Sequence, residues 1–245
     1  MTKRAAPRRK KTAADAAAAA GGPLRRGLRA AGRGLALAGA MLVLLVALFS
    51  FVNPPRGIYM LSETWRLGGI ERDWVPIGDM APAMARSVVA AEDANFCLHW
   101  GFDMAEIRRA LKAGENRGAS TITQQVVKNV FLWQGRSWAR KAMEAVLTPV
   151  VELFWSKRRI VEVYLNVAEM GEGVFGAEAA ARYYFGVSAR DLSPAQAARL
   201  AAVLPDPKDR NPATPSGFLR RRAAQIASGA ETIAADGRAA CFEGP

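Results

Sequence analysis

From Gly34 to Val52 the chain reads GLALAGAMLVLLVALFSFV, 19 residues without a charge. At about 1.5 Å of rise per residue, a helix of that length crosses roughly the 30 Å hydrocarbon core of a bilayer, so the segment is expected to be a transmembrane helix. Residues 1–33 carry ten Lys/Arg against one acid, Asp15, a net +9. That excess of cations places residues 1–33 in the cytoplasm and residues 53–245 outside it. A cleaved export signal is the rival reading. The charged region is long for one, the apolar run exceeds a usual signal core, and no small-x-small site precedes Asn53-Pro54-Pro55, which favours a retained anchor.

The whole chain has a formal charge of +12, which in isolation suggests a nucleic-acid binder. Outside residues 1–33, however, 24 basic and 21 acidic residues leave only +3. A basic arm beside a span needs no nucleic acid to explain it. With 245 residues, 51% of them hydrophobic, the chain accommodates one ordinary domain plus a tail. Cys97 and Cys241 show no metal-ligand spacing, and the single His99 does not complete a zinc site with them. An oxidising compartment would permit their disulfide, but a pair of cysteines does not establish one.

Residues 53–75, rich in Gly, Trp and Arg, read as a linker or membrane-proximal entry segment. Helical signals begin near Pro82, which suits a first helical turn, and Met84, Val88 and Ala91 follow at helical spacing. Asp103–Leu111, Thr121–Phe131, Ser137–Trp155, Ala177–Tyr184 and Ala195–Val203 also fit helices, and strand-like alternation is scarce. Ile160–Val167 is β-branched and partly alternating, which permits strand or helix. GEGVFG matches G-x-G-x-x-G, but no repeated strand–helix pattern surrounds it, so Gly171, Gly173 and Gly176 are expected in a tight turn. The stretch AADAAAAAGGP has the composition for a short helix but is expected to stay mobile. Pro205–Pro215, with four prolines, closes the compact region, and Phe218–Ala227 reads as a basic helix whose charges face solvent or membrane.

No G-x-S-x-G, P-loop or zinc-protease motif occurs. The chemistry is concentrated in carboxylates, amides, hydroxyls and cations of three blocks. Glu92 and Asp93 are adjacent, so on a helix they point about 100° apart; one would face a site while the other orients structure. His99 reads as structural. Thr121, Gln125 and Lys128 share one helical face, with Ser120 or Thr121 as a cap and Gln124 spaced to pair with Lys128. Arg140, Lys141 and Glu144 share another, where a local Arg140–Glu144 ion pair competes with a functional reading. Read functionally, Lys128, Arg140, Lys141 and the later Lys157, Arg158 and Arg159 suit an anionic leaving group such as pyrophosphate.

In order along the chain, EDANFCLHWGFD, GASTITQQVVKNVF, RKAMEAVL, KRRIVEVYLN and GEGVFGAEAAARYYFG resemble the signature of the peptidoglycan glycosyltransferases. The resemblance covers roughly Pro76 to Pro215, and the chain's length makes it similar to the monofunctional members. It implies a mainly α, lysozyme-like domain at residues 76–215 with a small membrane-proximal jaw lobe. Residues 1–33 would then be a cytoplasmic tail, 34–52 the span, 53–75 a linker and 216–245 a basic helix and tail. It further implies that Glu92 is the general base and Glu144 the second essential glutamate, assisting at the donor pyrophosphate directly or through a divalent cation, Mg or Mn. Lys128, Arg140 and Lys141 match cations near that pyrophosphate. Thr121, Gln125 and Asn129 match cleft residues, while Asp93, Phe96 and His99 match positions that shape the first motif. The implied partners are lipid II, the growing glycan chain, the bilayer and other cell-wall synthesis or division proteins, with the catalytic domain in the periplasm. Two features depart from the pattern: Cys97 in the first motif, and a short connection over Ala110–Arg117. A lytic transglycosylase or lysozyme-like hydrolase, and a non-enzymatic membrane scaffold, are the rival functions.

Overall fold

A computed structural model describes residues 13–113, 120–135 and 137–244. The chain divides into two compact units, residues 1–45 and 46–245. Helix α1 runs Ala13–Phe49, and its portion Arg25–Phe49, which contains an 18-residue window of mean hydropathy 2.1, is long and apolar enough to cross a membrane. Leu35, Leu37, Met41 and Leu44 stand exposed along it, as lipid-facing side chains would. The helix ends at Phe49, with Ser50 and Phe51 in a turn. The Ala-rich stretch expected to stay mobile belongs to this helix, since alanine has the highest helix propensity and an apolar helix continues from it. The basic residues Lys3–Lys11 lie outside the described residues, as does 114–117 of the short connection ahead of the second block.

The second unit is mainly helical. Its first element, α2 (Ile58–Leu67), falls within the expected linker. Met60 and Glu63 are buried on one side of it, and Gly68 ends it with φ of 76°, the left-handed cap that glycine adopts without a Cβ clash. The remaining α-helices are α3 (Pro82–Glu92), α4 (Met104–Ala113), α5 (Ile122–Phe131), α6 (Trp138–Phe154), α7 (Lys157–Val167), α8 (Ala177–Phe185), α9 (Pro194–Val203), α10 (Gly217–Ala235) and α11 (Ala240–Glu243). The ambiguous Ile160–Val167 segment is therefore helical: Ser156 caps its start, and Ile160, Val161 and Val163–Val167 are all buried, as on a helix enclosed on several sides. A small sheet orders β1 (Glu71–Arg72), β3 (Val174–Phe175) and β2 (Glu169–Gly171), with β3 parallel to β1 and antiparallel to β2. Gly173, at φ of 72°, makes the tight turn between β2 and β3 that the glycine spacing predicts.

Two packing groups position the site. Helices α3, α9 and α10 pack on one another, and α5 packs on α6 and α7. Pro82 starts α3 at its first turn, where a missing N–H costs nothing, and Met84, Ala85, Val88 and Val89 bury its inner face. From α7, the fully buried Asn166 pairs with both the N–H and the C=O of Val75 at 2.9 Å, and Glu162 accepts from the Ile77 N–H at 3.0 Å. These bonds fix the approach to α3 where no sheet partner is present. The C-terminal segment is part of the same unit: Cys241 is disulfide-bonded to Cys97, Arg86 holds Glu243 through two bonds of 2.6 and 2.8 Å, and Phe242 is fully buried.

Candidate active site

Helix α3 ends at Glu92 because Asp93 leaves helical geometry, with φ of −162° and ψ of 67°. The break sends the two adjacent carboxylates to different tasks. Asp93, 7% exposed, accepts from His99 Nε2 at 2.8 Å and from the Ile122 N–H at 3.0 Å, tying the loop after α3 to the start of α5. Phe96 is fully buried, with the Lys157 ammonium 4.3 Å from its ring centroid, so it packs beneath the motif instead of meeting a substrate.

The start of α5 is set by a reciprocal cap: Thr121 accepts from the Gln124 N–H, and the Gln124 side chain accepts from the Thr121 N–H. Gln124 is thereby committed to the cap and does not pair with Lys128 as its spacing suggested. Thr121 also donates to the Gly101 carbonyl at 2.7 Å. One turn on, Gln125 Nε2 donates to Glu92 at 2.8 Å, and its Oε1 accepts from the Tyr164 hydroxyl at 3.1 Å. Tyr164 was not singled out in the sequence. Its signal was the odd helical position of a tyrosine in an otherwise aliphatic stripe on α7.

Burial pushes the Glu92 carboxyl above the ordinary carboxylate range, and Asp93 adds to this, while the Gln125 hydrogen bond, Arg222 and Lys128 oppose it. Burial likewise lowers the Lys128 ammonium, with Arg140 and Lys141 adding to the effect and Glu144 and Glu92 opposing it. Glu144 is 3% exposed; one oxygen is bound by Arg140 and the other by Lys141 at 2.9 Å. Lys141 also reaches the Ser120 hydroxyl at 3.2 Å, and Arg140 donates to the Gly135 carbonyl at 2.7 Å.

These residues line three adjoining cavities. One of about 430 Å³ includes Glu92, Asp93, Asn95, Asp103, Ser120 and Thr121 in its wall. A second, about 130 Å³, is formed by Ser120, Gln124, Gln125, Lys128, Arg140, Lys141 and Glu144. The third, about 210 Å³, includes Tyr59, Gln125, Lys128, Asn129, Tyr164 and Glu169. Gln125 thus touches Glu92 and lines both cavities that hold Lys128.

The later cations lie elsewhere. Lys157 binds Glu152 at 2.9 Å and the His99 carbonyl at 2.8 Å, and Arg158 donates to the Phe242 carbonyl at 3.1 Å. Arg159 pairs with Glu162 and donates to the carbonyls of Phe49 and Val52. All three serve buried carboxylates or orphan carbonyls, and none lines the cavities with Lys128. Both Glu144 oxygens are engaged by cations, and among the described residues no group of three His, Cys, Asp or Glu side chains is gathered at one place.

Residues 60–231 match the family profile described as Transglycosylase. A Jannaschia sp. (strain CCS1) protein named biosynthetic peptidoglycan transglycosylase is 60% identical over 210 residues, which cover 86% of this chain and 88% of that protein. Proteins of the same name from Pseudomonas entomophila (strain L48) and Caulobacter vibrioides (strain ATCC 19089 / CIP 103742 / CB 15) are 49% and 44% identical, each match covering 81% of this chain and 89% of the relative. The matched region holds the whole set from Glu92 through Lys128 to Glu144, and on this ground the chain belongs to the transglycosylase family.

Proposed function

We infer that this chain is a peptidoglycan glycosyltransferase that polymerises lipid II, with Glu92 as general base and Lys128, Arg140 and Lys141 as counter-charges for the leaving diphosphate. One observation carries the reading: a half-buried carboxylate is joined through Gln125 to a pocket of three cations. A carboxyl raised by burial accepts a proton more readily than a solvated one, which suits a base. Glu92 takes the proton of the acceptor 4-hydroxyl as that oxygen attacks C1 of the donor MurNAc. The C1–O bond to the diphosphate breaks, its electron pair leaves with the lipid diphosphate, and the new β-1,4 linkage has inverted configuration. Charge builds on the leaving oxygen, where partly dehydrated cations stabilise it most. Glu144 holds Arg140 and Lys141 in place through its two oxygens. The base and the leaving side are separate, as in inverting glycosidases, so no covalent nucleophile is needed.

The apolar segment of α1 would hold the domain beside its lipid-linked substrate, with the basic arm cytoplasmic and residues 53–245 periplasmic. Exposed Ile58, Leu61 and Trp65 on α2, and Trp138, Val146 and Leu153 on α6, support contact with a bilayer. Incubating the detergent-solubilised protein with labelled lipid II tests the activity. Polymer is expected from wild type, with a loss of about two to four orders of magnitude in rate for Glu92→Gln. Shortening of preformed glycan in place of polymer would indicate a hydrolase, and a folded, lipid-supplied wild type that makes no polymer would sink the assignment.

A further inference from the structure

Between Asp93 and Phe96 the first motif carries two residues with no core beneath them. Asp93 and Phe96 are buried, whereas Ala94 is exposed and Asn95 half-buried, and both stand in the wall of the cavity of about 430 Å³ beside Glu92. An irregular backbone keeps one shape there only through what its polar groups bind. Asn95 donates to one oxygen of Asp103 at 2.9 Å, and the other oxygen accepts from the Ala105 and Glu106 N–H groups at 2.9 Å, capping α4. The Ala94 carbonyl accepts from Arg238 Nη1 at 2.9 Å, across 144 residues of chain.

Arg238 sits in the turn after α10, outside the three chemical blocks and beyond the stretch 60–231 that matches the family. Its guanidinium is held for this contact: Asp236 accepts from Nε at 2.8 Å, lies 2.7 Å from Nη2 and accepts from the Arg238 N–H at 3.1 Å. One edge of the fork is thereby fixed on a carboxylate, and Nη1 is left for the loop. Cys241 then bonds Cys97, and Glu243 pairs with Arg86 of α3, so the same segment is fastened on either side of Ala94 in the chain.

The other wall of the cavity is α4. Met104, Ala105, Glu106, Arg108 and Arg109 are exposed on it, so its place depends on the Asp103 cap at its start, while Glu106 and Arg109 line the cavity. A shift of Ala94 therefore carries Asn95, the cap and that wall with it. Lys128, Arg140 and Lys141 line the neighbouring cavity and not this one, which holds Glu92, so the acceptor sugar belongs here and the diphosphate there.

We infer that Arg238 is a positioning residue for the acceptor: by holding the Ala94 carbonyl it fixes the gap between Glu92 and α4 in which the sugar bearing the 4-hydroxyl is bound. This rests on the reading of Glu92 as the general base and adds a residue from the C-terminal segment to the site.

The test compares lipid II polymerisation by wild type, Arg238→Ala, Arg238→Lys, Asp236→Ala, the variant carrying both Asp236→Ala and Arg238→Ala, and Glu92→Gln. Arg238→Ala should raise the KM for lipid II about fivefold and leave kcat within about twofold of wild type, because acceptor binding is what it loosens. Arg238→Lys keeps a donor for the Ala94 carbonyl, so its KM should stay within about twofold of wild type. Asp236→Ala should raise KM as well, and the double variant should be no worse than Arg238→Ala, since the two residues act as one unit. Binding of undecaprenyl diphosphate in detergent should be unchanged, as the cation cavity is untouched. A merely structural residue would lower kcat and the unfolding midpoint together with KM unmoved, and that result overturns the inference. So does a Lys variant as impaired as the Ala variant, a loss of diphosphate binding in Arg238→Ala, or failure of both Arg238 variants to fold. If Glu92→Gln itself polymerises lipid II at the wild-type rate, the reading of the base fails. If Glu92→Gln is inactive and the KM of Arg238→Ala is unmoved, only the role of Arg238 fails.

Discussion

Gln125 donates to Glu92 at 2.8 Å while accepting from Tyr164 at 3.1 Å, so its amide cannot flip without losing both bonds. The fixed amide orients the Glu92 carboxylate and lowers the cost of its charge. Gln125→Leu should therefore slow polymerisation by roughly tenfold to a hundredfold, the equivalent of about 1.5–3 kcal/mol for a hydrogen bond to a charged group. Gln125→Glu should be worse, because it sets a second carboxylate beside Glu92. Steady-state rates for both variants check this, and an undiminished Gln125→Leu would remove the amide from the mechanism.

Because burial raises the Glu92 carboxyl in the folded protein, the native state binds its proton more tightly than the unfolded chain does. Stability contributed by this group is thus lost as pH rises from the unfolded carboxylate range through the raised folded value. Glu92→Gln should melt at a higher temperature than wild type at pH 7.5, and the difference should vanish near pH 4. Thermal unfolding at the two pH values measures it. Equal melting of the two proteins at pH 7.5 would mean that Glu92 carries no strain.

Lys128 and Lys157 lie in neighbouring blocks but do opposite work. Lys128→Met should cost about tenfold to a hundredfold in donor use. It should not destabilise the fold, because it removes a cation whose charge burial disfavours. Lys157→Met should instead cost about 3–5 kcal/mol of stability, since it leaves Glu152, whose side chain is 2% exposed, without its ion pair. Denaturant unfolding together with lipid II turnover separates the two; matching phenotypes would show the assignment to be wrong.

The Cys97–Cys241 disulfide closes a loop across a sequence separation of 144 residues and ties the C-terminal segment beneath the first motif. Chain-entropy reasoning gives such a loop about 5 kcal/mol of stabilisation as an upper figure. Cys97→Ser with Cys241→Ser should lower the unfolding midpoint markedly and make activity heat-labile, while Arg86–Glu243 preserves native turnover at low temperature. A midpoint unchanged by reductant would deny the cross-link any role.

The apolar helix, most of the other helical segments and the candidate cations were legible in the sequence because each rests on short-range information. An uncharged run marks an apolar helix, a 3.6-residue period sets a helix face, and the hydroxyls of Ser120 and Thr121 offer a cap, but that Gln124 completes the cap on Thr121 instead of pairing with Lys128 is visible only in the structure. The helix over Ile160–Val167 was not settled locally, since β-branched residues fit either state; burial on several sides of α7 settled it. Like-charged neighbours in sequence also carried no sign of their partners. Lys128 remains in a cavity, whereas Lys157, Arg158 and Arg159 are taken up by Glu152, the C-terminal carbonyls and Glu162. The sequence by itself therefore determined which residue types were available and which helix faces carried them. Only the tertiary structure decided that Gln125 ties Tyr164 to Glu92 and that Cys97 meets Cys241, because hydrogen bonding and cross-linking depend on distances between segments far apart in the chain.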